Sequence, residues 1–132
     1  MSPETFRVYP QHPWRFDVLV FSSERPMYAY AQAAWDYPSR DWAACVFTGD
    51  VGRSRTRCLG EILFHRRSLT PEIVSHEATH AAHNYYTLRS GRKSIYISPN
   101  GTTSPSEEII AGLQADIAAQ IMRELTKRGL IR

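Results

Sequence analysis

The chain has 132 residues, 42% of them hydrophobic and 22% charged, with a formal net charge of +3. That length suits one domain, 1–132, with a real core and little room for a second folding unit, and the composition excludes a largely disordered or fibrous chain. No apolar run approaches the ~20 residues a bilayer span requires, and the N-terminus lacks a signal-type apolar core, so no membrane and a cytoplasmic setting are expected.

In chain order, "RFDVLVF" (15–21) is an apolar run rich in β-formers and predicts a buried strand. A serine cap, a proline in the first turn and an alanine-rich body then predict a helix over 24–36, which "PSRD" breaks. "AACVFTGD" and "RCLGEILFHRR" read as two further strands joined by the hairpin-like turn "GDVGRSR". Cys45 and Cys58 lie inside these apolar segments and read as buried free thiols of a reducing compartment.

Thr70 is placed to cap a helix, Pro71 suits its first position and Glu72 its positive end, so a helix over 71–86 follows. "KSIYIS" (93–98) predicts one more short strand. A last helix starts at a Ser-Pro step before "SEEIIAGLQADIAAQIMRELTKR" and ends on Gly129. Its apolar face is Ile110, Leu113, Ile117, Ile121 and Leu125, and Ala111, Ala115, Ala118 and Ala119 form a small-residue stripe against which another helix could pack closely. Strands and helices in this order predict an α+β fold.

The chemistry concentrates in "VSHEATHAAH" (74–83). On a helix, His76 and His80 project from one face toward a common point and can share a zinc ion. Glu77 stands at the flank of that face, placed to take a proton from a metal-bound water without being a ligand. Catalytic zinc takes a third protein ligand, and the candidates are His83, Cys45, Cys58, Glu107 and Glu108. His83 lies a further turn along, where three ligands on one straight helix cannot close around a tetrahedral ion, and reads as lining the pocket. Helical periodicity aims Glu107 into the apolar arc and sets Glu108 at the edge of the alanine stripe; the apolar arc favours Glu107, because a carboxylate aimed at a core needs a partner.

"HEATH" with the downstream "SEEIIA" resembles the gluzincin metallopeptidases, and "SEEIIAGLQADIAA" is similar to the corresponding segment of small ImmA/IrrE-type and phage or plasmid antirestriction metallopeptidases. The likeness covers about 70–119. It implies a minimal zincin-like core, a small mixed sheet packed on an active-site helix and a long C-terminal helix. It also implies Glu108 as third zinc ligand, with Glu107 as second choice, and a strand edge such as "GEILFH" receiving an extended peptide. Gly112 stands where that family often carries a polar residue supporting a zinc histidine.

The expected activity is hydrolysis of a peptide bond in a narrow protein substrate: Zn²⁺ on His76, His80 and Glu108, Glu77 as general base, and an oxyanion donor among His83, Tyr85, Tyr86 and Tyr96. A deformylase-like arrangement with Cys58 as ligand is a lesser alternative, because the glycine-rich and EGCLS-like segments are missing. The other alternative is a non-catalytic binding or regulatory module of a phage or mobile element. The basic runs "GRSRTR", "HRR" and "RSGRK" read first as solvated loops and only secondarily as a nucleic-acid surface.

Overall fold

The computed structural model describes residues 2–49, 57–90 and 105–131. Four strands, β1 (Glu4–Gln11), β2 (Trp14–Phe21), β3 (Ala44–Thr48) and β4 (Cys58–His65), form one sheet in the order β1-β2-β4-β3. β1 and β3 run antiparallel to their neighbours and β2 runs parallel to β4, so the sheet is mixed. Helix α1 (Glu24–Trp35) follows β2, and α2 (Pro71–Ser90) and α3 (Pro105–Lys127) follow β4. The fold is α+β, as the element pattern predicts.

One sheet face carries the larger core. Phe16, Val18 and Val20 of β2 and Ile62 and Phe64 of β4 pack there with Val74, Ala78, Ala81 and Ala82 of α2 and the predicted apolar face of α3. Ile117, Ile121 and Leu125 are fully buried, each contributing about 1.5–3 kcal/mol. On the other face Leu19, Phe21 and Leu63 meet Met27 and Ala31 of α1. Gly60 and the β3 backbone lie close together: a Cβ on Gly60 would fall 1.9 Å from the Phe47 carbonyl oxygen.

α2 and α3 end as their sequence signals predict, whereas Ser23, the expected cap of α1, stands at its N-cap but makes no side-chain capping hydrogen bond. Thr70 Oγ1 accepts from the Ile73 amide at 3.2 Å, as the cap predicts. α2 runs on through Ser90, beyond the predicted 86, and Arg89 sits in its last turn, where a cation suits the helix dipole. α3 closes with a Schellman arrangement: Leu130 N–H bonds Leu125 O, Gly129 N–H bonds Thr126 O, and Gly129 takes φ 70°.

β1 has a weak sequence signal: its inward side chains are Phe6, Val8 and Pro10, and a proline argues against a strand. Gln120 of α3 secures it by bonding the Tyr9 N–H and carbonyl, each at 2.7 Å. The alanine stripe does not carry the helix contact: Ala111, Ala115 and Ala119 are exposed, because α3 turns its bulky apolar arc toward α2 and the sheet instead. The strand expected at "KSIYIS", with Tyr96, and most of the turn "GDVGRSR" lie outside the described residues.

Candidate metal centre

Helix α2 sets the site by its three sides. Val74, Ala78, Ala81, Ala82 and Tyr85 turn to the core. At ~100° per residue this leaves His76 and His80 on the outward side, Glu77 on one flank and Ser75, Thr79 and His83 on the other. Asn84, two turns on from Glu77, donates from Nδ2 to Thr48 Oγ1 at 3.0 Å, so the Glu77 flank faces β3. The opposite flank faces α3, whose Gln114 donates from Nε2 to Ser75 Oγ at 3.1 Å.

The two imidazoles converge. Their Nε2 atoms are 3.1 Å apart and the rings stand at 77°. Two nitrogens held tetrahedrally by zinc at ~2.0–2.1 Å would be ~3.3 Å apart, so this pair already has close to the required bite. Burial, and then the neighbouring His76 and His83, hold the His80 pKa below the usual histidine value, which favours the neutral form that a metal needs.

Glu77 differs from both histidines in exposure: its side chain is 7% exposed against 69% for His76. Its Oε2 lies 3.9 Å from His76 Nε2. Burial raises the Glu77 carboxyl above the ordinary glutamate value, and His76 opposes that rise. A carboxylate so raised is a stronger base than one in water, which is what proton abstraction near neutrality asks for.

The remaining ligand candidates are placed differently. A cleft of about 550 Å³ runs between α2 and α3, lined by Ser75, Thr79, His83, Glu107, Ile110, Ala111 and Gln114. Glu107 is half-buried in its wall, whereas Glu108 is exposed on the alanine side of α3. Among the described residues, no group of three histidines, cysteines or carboxylates gathers closely enough to hold a metal. Residues 91–104 contain none of these residue types, so a third such ligand cannot come from that stretch.

Cys58 is buried in β4, with its Sγ 3.6 Å from Asp17 Oδ2 and 3.5 Å from Gly60 O. Cys45 lies on β3; burial and then the charge of Glu77 push its thiol up to about 11. Tyr85 donates to Gln11 Oε1 at 2.6 Å, and the Tyr86 hydroxyl meets Ser106 Oγ at 3.0 Å, so both tyrosines brace neighbouring elements.

The strand edge beside the site is not that of "GEILFH". β4 is paired on both sides, to β2 and β3, which uses its backbone groups; the outer edge next to α2 belongs to β3. Sequence reading also passed over Glu61, the lone acid in β4. It is buried and accepts from the Tyr30 hydroxyl at 2.6 and 2.7 Å and from Trp35 Nε1 at 2.8 Å. A single carboxylate in an otherwise apolar strand was the available signal.

No helix among the described residues is long and apolar enough to cross a membrane. Comparison with protein-family models, curated proteins and solved structures finds no match.

Proposed function

We propose that the chain is a zinc-dependent peptidase acting in the cytoplasm on a narrow protein substrate, of the kind phages and mobile elements use for regulation. The observation that carries this reading is the 3.1 Å approach of His76 and His80 Nε2 beside the buried Glu77 carboxylate. His76 and His80 would hold the ion. Glu108 is the third ligand by resemblance, while packing favours Glu107, which already faces α2. Zinc bound there supplies a polarised scissile carbonyl and an acidified water.

The protein's own groups do the rest. Glu77 Oε2 takes the proton of the attacking water and returns it to the leaving amine, and its burial keeps it basic enough to do so. Among the described residues β3 is an edge strand on the Glu77 side of α2, and an extended substrate adds there as a further strand. His83 is exposed in the wall of the α2–α3 cleft and is a candidate donor for the oxyanion.

Incubation of zinc-loaded protein with a proteome-derived peptide library, read by mass spectrometry, tests this. Cleavage at a restricted set of sites is expected, falling about 100-fold or more in Glu77→Gln with zinc content unchanged. Glu77→Gln cleaving at the wild-type rate, or a zinc-loaded wild type that cleaves nothing, would overturn it. The exposed position of Glu108 favours the competing reading, a non-catalytic binding module on the same fold, and that second result would support it.

A further inference from the structure

The fold joins three residues that are far apart in the sequence. Trp14 opens β2, Arg57 precedes β4 and Arg89 lies in the last turn of α2. The guanidinium carbon of Arg57 is 5.0 Å from the centroid of the Trp14 ring, and that of Arg89 is 4.5 Å from it. Both arginines are exposed, Trp14 is half-buried, and no carboxylate among the described residues pairs with either guanidinium.

Two like charges thus share one indole, each within 5.0 Å of its centre. The cation–π contact fixes each side chain at little entropic cost and leaves its N–H fork free of a competing acid. An anion that spans the pair relieves their repulsion and uses both forks, and guanidinium forks match phosphate oxygens. In the sequence, Arg57 ends the run "GRSRTR" and Arg89 begins "RSGRK".

The surroundings favour a nucleic acid over other polyanions. A cleft of about 230 Å³ opens beside Arg89, with Tyr85, Tyr86, Ile109 and Leu113 as apolar walls and the Gln11 amide at its rim. Tyr85 and Leu113 are buried beneath this cleft, so its open apolar surface is half-buried Tyr86 and exposed Ile109, and such a surface next to a phosphate site suits a nucleobase. We propose that Trp14, Arg57 and Arg89 form a site for the phosphodiester backbone of a nucleic acid. Arg89 stands thirteen residues along α2 from His76, roughly 20 Å at helical rise, so this surface is separate from the metal centre.

Arg57 makes a clean test. It holds φ 62°, a left-handed backbone that glycine adopts at less cost, so Arg57→Gly removes the guanidinium without straining the fold. Fluorescence anisotropy of the full chain with labelled single-stranded and duplex oligonucleotides, titrated with salt, provides the readout. The expected result is binding to at least one of them, weakened about tenfold or more in Arg57→Gly/Arg89→Ala. For a single strand, the slope of log affinity against log salt falls by about 0.7 for each arginine removed. Arg25→Ala/Arg123→Ala, which removes exposed arginines elsewhere, keeps wild-type binding. The proposal is overturned by absence of binding, by equal loss in that control pair, or by an unaffected double variant. Capture by phosphatidylserine vesicles without oligonucleotide binding also overturns it. Zinc content is expected to stay unchanged in all these variants, so failure here leaves the peptidase reading standing.

Discussion

Gly60 on β4 passes so close to Phe47 on β3 that an added Cβ would lie 1.9 Å from the Phe47 carbonyl oxygen. The obstacle is backbone, which cannot swing aside as a side chain can. Gly60→Ala is therefore expected to destabilise the protein by about 3 kcal/mol or more and to loosen β3 from the sheet. Urea denaturation checks this, and a variant within about 0.5 kcal/mol of wild type would show that β3 does not pack as described.

The Cys45 thiol reports on Glu77. Burial and then the Glu77 charge push it up to about 11, so the reactive thiolate is scarce at pH 8. In a Cys58→Ser background and with metal chelated, iodoacetamide should label Cys45 roughly two orders of magnitude more slowly than free cysteine. Glu77→Gln removes one cause of the rise and should speed labelling, while burial still keeps it slow. Labelling at the rate of free cysteine would mean that β3 does not shelter the thiol.

His65 should give stability an acid limb. It is buried at the end of β4, its Nε2 is 2.8 Å from Ser68 Oγ, and its Nδ1 has no hydrogen-bond partner among the described residues. Burial lowers its pKa below 6.5, with Glu24 opposing and Arg67 assisting. The unfolded chain then takes a proton on this ring at a higher pH than the folded one, so stability is full above about 6.5 and is lost as pH falls toward the folded value. His65→Gln keeps a donor near Nε2 but does not titrate. Urea melts from pH 7 to 5 should show wild type losing more stability than the variant; equal losses would remove His65 as the cause.

Much of the fold is legible in the sequence because its signals are local. Thr70-Pro71 at a helix start, Gly129 at a helix end and the spacing from Ile110 to Leu125 each state their role within a few residues. β1 is less legible because its inward side is only Phe6, Val8 and Pro10, and a proline argues against a strand. Sheet order is not legible at all. Nothing near "GEILFH" says that β2 and β3 will flank it and leave the outer edge to β3.

The same division runs through the sites. The approach of His76 and His80 follows from a four-residue step on one helix and could be read directly. Which acid faces α2 depends on how α3 is rotated against it, and the structure turns Glu107 rather than Glu108 into the cleft. The meeting of Trp14 with Arg57 and Arg89 depends on three separate elements ending at one place, so three unremarkable positions become a cluster only in the fold.

Metal content decides whether His76 and His80 hold zinc as proposed. Protein purified without chelator, supplied with zinc and desalted, is measured by elemental analysis as wild type and as His76→Ala, His80→Ala, Glu107→Ala and Glu108→Ala. One zinc per wild-type chain is expected, lost with either histidine and with one of the two glutamates, which identifies the third ligand. A wild type that stays metal-free, or a His76→Ala protein that holds as much zinc as wild type, would contradict it.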